Sequence, residues 1–419
     1  MKIDKKYPFA VIYFFFNSVG LPFGLLYTIL FTPVFYLWLI TKHKKNIIFK
    51  FLIVALPFVI NHLIHGVDLY NYVRSLILFF SVYIFCLTFL TWIREETRLK
   101  FFFKKLLNFN FFMVAIAIFF VFTPLKDVFW GVWSIETGNY IIDSLPRLKM
   151  LTYEPSYYST LLVPIAAFYI TAFILKQNEK DSFTIAIKVL LPLVLSFSMG
   201  VIGGLIVAVA LLFLTNLTTL LTSKRILTSF LLVAGGFVLT FIFLLLLFPE
   251  NPFFVRLHAI IAGGDGSANG RTFEAFHLAH VIAKEKSIWW GVGPGQLKII
   301  GDPIIKEFYK YPPDYGQVSI PSAFPETIAL FGYIGAAVRL FIEIYLYFKT
   351  KVYSNYYRSL LFFYIFIYQF TGSFTTNIAE YVIWILAFTN VFPEFDKKNY
   401  KPHSVPVSDP AGANLNLAS

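Results

Sequence analysis

FPENPFFVRLHAIIAGGDGSANGRTFEAFHLAHVIAKEKSIWWGVGPGQLKIIGDPIIKEFYKYPPDYGQVSIPSAFP, residues 248–325, is the only long hydrophilic stretch between hydrophobic segments in this chain. The runs on either side read as membrane-spanning helices, so the stretch is a loop at one face of a bilayer. A loop of this length inside a compact fold is functional or disordered. Its amphipathic and aromatic patterning points to function.

Working outward, 58% of the 419 residues are hydrophobic and only 14% are charged. No soluble domain of this size could bury so much apolar surface and still cover its outside. The expectation is an all-α polytopic membrane protein. The 51 Phe are explained by lipid-facing positions, and the net charge of +12 by topology, because Lys and Arg gather in one set of loops. No nucleic-acid motif is present. Cys86 is the only cysteine, so no disulfide or thiolate cluster forms within one chain. The basic start at Lys2, Lys5 and Lys6 runs into an apolar segment without a small-residue cleavage site, which reads as a signal anchor.

A span needs about 20 apolar residues. That criterion gives about twelve transmembrane helices, near 8–19, 21–40, 47–64, 70–92, 107–125, 155–175, 183–198, 200–221, 226–248, 326–348, 357–373 and 376–392. With the N terminus inside, the even connections carry Lys42, Lys44 and Lys45, then Arg94 to Lys105, Lys176 and Lys180, Lys224 and Arg225, and Lys349 to Arg358. The short odd connections are nearly bare, as the positive-inside rule requires. Residues 1–400 thus form a single transmembrane domain with outer loops at 126–154 and 249–325. Residues 401–419 read as a disordered tail or an appended remnant.

This topology sorts the ionisable residues by depth. Lys50 and Lys188 snorkel toward the inner face. Arg339 and Glu343, at i and i+4, read as a structural intramembrane ion pair. The rest gather at the outer leaflet: Arg74, Arg147 and Glu154 in RLKMLTYEPSYYS, Arg256, Arg271, Glu326 and Glu380. Arginine holds two phosphate oxygens in its planar fork. Several of them at one depth suit a lipid-borne diphosphate, with phospholipid head groups as the plainer ligand.

Glu274, His277 and His280 share a predicted loop helix, but their spacing is loose and no second ligand pair accompanies them, so no metal site is expected. The apolar residues Phe273, Phe276, Val281 and Ile282 suit a helix lying on the membrane, and Trp289 and Trp290 an interfacial belt. GVGPGQ, 291–296, lacks the strand and helix of a dinucleotide fingerprint. Its glycines instead allow a tight turn or close backbone approach.

Three segments in order, NGRTFEAF (269–276), SIWWGVGPGQL (287–297) and PETIALFGYIG (325–335), resemble the bacterial O-antigen polymerase and ligase superfamily, the Wzy and WaaL types. SFSMGVIGGLIV (196–207) resembles the Ser-x-Gly-rich span of that family. The resemblance covers the long loop, its flanking helices and the topology. It implies a membrane-embedded, GT-C-like inverting glycosyltransferase that needs no metal or other cofactor. The donor and acceptor would be undecaprenyl-diphosphate-linked glycans at the periplasmic face of the inner membrane, with both termini cytoplasmic.

Carried over by position, Arg271 binds the donor diphosphate and Arg256 is a second contact. RLKMLTYEPSYYS resembles the Arg…Glu-Pro-Ser stretch of exopolysaccharide and O-antigen polymerases, which nominates Arg147 and Glu154; Arg74 completes the diphosphate-binding set. Glu154, or failing that Glu326, is the expected general base. Ligases carry a His late in the long loop, and YGQVSIPSAFPET (315–327) has none, which favours a polymerase over a ligase. A chain-length regulator is a candidate partner besides membrane lipid. A lipid-linked oligosaccharide flippase would place its charges in a central cavity and show a duplicated architecture, and no repeat is visible here.

Overall fold

The computed structural model describes residues 26–43, 47–137, 140–175, 182–217, 258, 262–263, 266–312 and 314–399. Its helices are α1 (Thr32–His43), α2 (Ile47–Ile64), α3 (Leu69–Glu95), α4 (Leu99–Phe120), α5 (Pro155–Ile174), α6 (Ser182–Ser196) and α7 (Met199–Thr215). After the long loop's α8 (Gly266–Arg271), α9 (Phe273–Lys284) and α10 (Gly301–Tyr309) come α11 (Ala323–Lys349), α12 (Tyr356–Thr371) and α13 (Ile378–Phe388). Among the described residues α2, α3, α4, α5 and α11 are long and apolar enough to cross a membrane, which makes this a helical membrane protein. The expected spans at 8–19 and 226–248 lie outside the described residues.

Burial separates lipid-facing from central helices. In α2 only Ile47 and His62 are buried, while Phe49, Ile53, Val54 and Ile64 are exposed around the helix. A helix that is apolar all round and solvent-accessible within the protein needs lipid to cover it. In contrast α5 buries fifteen of its twenty residues, from Tyr157 to Ala172, and forms the centre post. Against it packs α12, which meets α7 through small residues. A Cβ on Gly204 would stand 3.2 Å from the Tyr364 ring, and one on Gly200 3.5 Å from Tyr368. The glycines of SFSMGVIGGLIV thus let two helices approach closely.

One end of the bundle carries the N termini of α3, α5, α7, α11 and α13 together with the long loop. The other end is closed by aromatics: Phe392 lies 4.6 Å from Phe168 and 5.0 Å from Tyr357 between ring centroids. There Arg358 donates to the Ala387 carbonyl at 2.8 Å, as a basic group near a helix C terminus should.

The structure departs from the sequence reading at three places. Residues 130–148 form an antiparallel hairpin, β1 (Trp130–Thr137) with β2 (Tyr140–Leu148), its register running from Trp130–Leu148 to Thr137–Tyr140. Gly138 and Asn139, between the strands in sequence, are the hairpin signal the hydropathy argument passes over. In the second departure, α9 does not present Ile282 outward: it buries Ala275, Leu278, Ala279 and Ile282 with Ile328 and Ala329 of α11, and of the four apolar residues expected on its outer face only Phe273 is exposed.

The third departure is α11 itself, expected as a single span at 326–348. It breaks at Gly332, whose φ of 66° and ψ of −171° lie outside helical space. In a straight helix sixteen residues would span about 24 Å. Yet Arg339 Nη1 lies 3.4 Å from the Ala323 carbonyl, so the halves fold back toward each other.

Candidate functional site

The long loop repairs the break. Val292 and Gly293 donate backbone N–H groups to the Ala329 and Leu330 carbonyls, each at 2.9 Å. Beyond the break, Tyr333 and Ile334 donate to the Ile288 and Trp289 carbonyls, each at 3.1 Å. A broken helix among apolar surroundings is tolerated only when its freed polar groups find such partners.

The glycines make the approach possible. A Cβ on Gly332 would fall 2.2 Å from the Trp289 carbonyl carbon, and one on Gly291 2.5 Å from that of Leu330. Gly295, at φ 77°, lies equally close to Asn71. Gln296 and Asp68 exchange two hydrogen bonds, at 3.0 and 3.2 Å, and His62 bridges Tyr72 and the Trp290 carbonyl. GVGPGQ is therefore a clamp that fixes the loop to the α2–α3 turn and to α11.

The clamp presents the first turn of α11. Ser322 Oγ donates to the Arg271 carbonyl at 2.6 Å, Ala323 N–H to the Gly372 carbonyl at 3.0 Å, and Thr375 N–H to the Glu326 carboxylate at 2.7 Å. Arg271, closing α8, is thus held at the head of α11. It is half-buried, and among the described residues no carboxylate comes within ion-pair distance of it.

Glu154, far away in sequence, arrives by another route. It precedes α5, with Pro155 opening the helix, and accepts a hydrogen bond from Ser156. Its side chain is exposed. The charges of Arg271, Glu154 and Glu380 all act on Tyr368, buried in α12. Tyr153 stacks beside Tyr157 at 4.9 Å and approaches Phe374 at 6.5 Å, adding an aromatic wall. Nothing in the sequence marks Tyr368, which sits in an apolar helix.

The remaining predicted residues divide. Arg147, at the end of β2, donates through Nε to the Ser196 carbonyl at 3.0 Å, where α6 ends and needs donors. Arg74 is exposed on α3, beside Ser75. Arg256 lies outside the described residues. Glu326 lines a cleft of about 270 Å³ with Ser75, Phe79, Lys298, Ser319 and Thr376.

Glu380 has a cation of its own. It is buried and pairs with Arg339, which also holds Glu343 Oε1 at 3.0 Å and Thr327 Oγ1 at 3.0 Å. Gln369 donates to Glu343 at 2.8 Å and Ser373 to Glu380 at 2.5 Å. The expected Arg339–Glu343 pair is present, enlarged by a carboxylate from another helix.

The three residues weighed as metal ligands have separate partners: Tyr309 donates to Glu274 at 2.8 Å, the His277 ring lies 5.7 Å from Phe308, and His280 meets the Tyr333 hydroxyl at 3.0 Å. Burial pushes the Tyr309 phenol up, and the Glu274 carboxylate beside it adds to the shift. Asp302 braces the cleft's outer rim, accepting from Val318 N–H at 2.8 Å and pairing with Lys306 at 3.0 Å. Those two bonds, the Val318 one foremost, hold its carboxyl below the usual range. The chain matches no protein-family model and no curated protein.

Proposed function

We propose that this chain polymerises undecaprenyl-diphosphate-linked repeat units into O-antigen or a related surface polysaccharide. In this reading it is a GT-C-like inverting glycosyltransferase of about twelve spans in the bacterial inner membrane, acting at the periplasmic face. The observation that carries it is Arg271: a guanidinium held by its backbone at the head of α11 and without a carboxylate partner among the described residues. Such a group is available to a ligand of opposite charge, and its planar donors match phosphate oxygens. The three sequence segments that resemble the O-antigen polymerase and ligase superfamily meet around the first half of α11, which also supports the reading.

In the transfer, the acceptor hydroxyl oxygen forms a bond to the anomeric carbon of the donor. The bond from that carbon to the diphosphate oxygen breaks, and its electron pair leaves with the diphosphate. Arg271 stabilises the charge gathering on the leaving group, a role worth most where water is excluded. The acceptor proton passes to a carboxylate, Glu154 or Glu326.

The test is glycan profiling by gel in a strain lacking the gene, complemented by wild type or Arg271→Ala at matched membrane abundance. Wild type restores a ladder of lengths and the variant yields only single-repeat product. Accumulation of untransferred lipid-linked polymer in the deletion strain would make the protein a ligase. A ladder that survives Arg271→Ala would remove Arg271 from the site.

A further inference from the structure

The cleft beside Glu326 is separate from the surroundings of Arg271, which is not among its lining residues. Its charged side chains are one acid, Glu326, and one base, Lys298, on opposite elements. With a carboxylate in its lining and no net positive charge, the cleft does not suit an anionic diphosphate.

The rest of the lining is amphipathic. Phe79, Leu297 and Leu330 supply an apolar wall, and Gln317, Ser319 and Thr376 supply hydroxyl and amide groups. This is the chemistry of a sugar ring, which has an apolar C–H face and a rim of hydroxyls. At about 270 Å³ the space takes one ring, being just below the range of roughly 300–1,000 Å³ for drug-sized ligands.

The cleft is also tied to Arg271. Glu326 N–H donates to the Ser322 carbonyl at 3.0 Å, and Ser322 Oγ donates to the Arg271 carbonyl at 2.6 Å. Two hydrogen bonds through one residue thus join the backbones of the acid and the base.

From this we infer that the Glu326 cleft holds the sugar whose hydroxyl receives the transferred glycan, with Arg271 holding the leaving diphosphate across the first turn of α11. The inference rests on the proposed polymerase reading and assigns the acceptor to a separate subsite. Glu326 accepts the hydrogen bond of the attacking hydroxyl and takes its proton as the new glycosidic bond forms. Asp302 acts through Val318 to hold the cleft rim and is a positioning residue.

The experiment fills the cleft with Ser319→Trp in the full-length chain and reads two quantities. One is the polymer ladder in the deletion strain; the other is binding of undecaprenyl diphosphate to the purified protein in lipid nanodiscs. Ser319 is exposed, so the larger side chain leaves folding intact; Gln317→Trp, on the same exposed rim, serves if the first variant does not accumulate. Polymer falls by about tenfold or more while the affinity for undecaprenyl diphosphate stays within about twofold. An intact ladder with the cleft filled would overturn the inference and leave the polymerase reading standing. Loss of undecaprenyl diphosphate binding in the filled variant would make the cleft part of the donor site and overturn it too. A wild-type protein that neither restores a ladder nor binds undecaprenyl diphosphate would remove the polymerase reading itself, and the inference with it.

Discussion

Arg339 and Arg271 both meet the start of α11, one through its side chain and the other through its backbone, yet their surroundings are opposite. Arg339 is surrounded: Glu343, Glu380, Thr327 and the Ala323 carbonyl take its donors, and Gln369 and Ser373 take the remaining carboxylate oxygens. Around Arg271 the hydrogen bond from Ser322 reaches the backbone carbonyl, and among the described residues no carboxylate pairs with the guanidinium. Buried charges persist when they are paired and hydrogen-bonded. The first arginine therefore serves the fold, and the second retains capacity for a ligand. Charge at a given depth is a poor guide to function; unfilled hydrogen-bonding capacity is a better one.

That contrast predicts a graded set of stabilities. Arg339→Ala strands two buried carboxylates and costs about 3–5 kcal/mol, read as lost membrane accumulation or a much lower midpoint of thermal unfolding in nanodiscs. A midpoint unchanged by that substitution would show the network to be dispensable. Gly332→Ala comes next. It places a Cβ where the Trp289 backbone stands and puts a side chain at positive φ, at a cost of about 1–3 kcal/mol from the backbone conformation alone, with the clash added. Unfolding curves that match wild type would show that the loop clamp is not needed to hold the break.

Asp302→Asn has a smaller effect, confined to the rim of the cleft. Its folded-state carboxyl is held below the ordinary range, so its stabilisation is complete above the unfolded value and vanishes as pH falls through the depressed one. Wild-type protein therefore resists pepsin between residues 310 and 320 until strongly acidic pH, whereas the Asn variant is cut there at milder acidity. Identical cleavage profiles would show that the Val318 and Lys306 bonds do not secure this segment.

The smallest stability change belongs to Arg271→Ala and Glu154→Gln. Both should unfold within about 0.5 kcal/mol of wild type, as expected where no buried partner is left stranded. Their defect appears in the glycan ladder instead. If Arg271→Ala unfolds as readily as Arg339→Ala, the two clusters are alike and the contrast fails.

Much of the helical frame was legible in the sequence. The apolar run expected at 47–64 is α2 residue for residue, and those at 70–92 and 155–175 fall within a few residues of α3 and α5. Hydropathy reads these well because a helix in lipid must satisfy its backbone internally, whatever its neighbours. The start of the fifth expected span differs: 107–125 is expected, yet α4 begins at Leu99, where Lys100, Lys104 and Lys105 make the sequence look like loop. Long basic side chains reach water from inside a helix end, so their charge does not terminate it.

At the candidate site, Arg271, Glu154 and Glu326 could be nominated from their types and loop positions. The sequence could not show that the charges of Arg271 and Glu154 act on one buried tyrosine, that Glu380 pairs with Arg339, or that Arg147 serves a helix end. Composition and the spacing of charges determined by themselves a helical membrane protein and a loop built around glycines. Only the tertiary structure decided what those glycines do, because the fit of Gly291 and Gly332 depends on backbone about forty residues away in sequence, and a close approach of that kind leaves no local pattern.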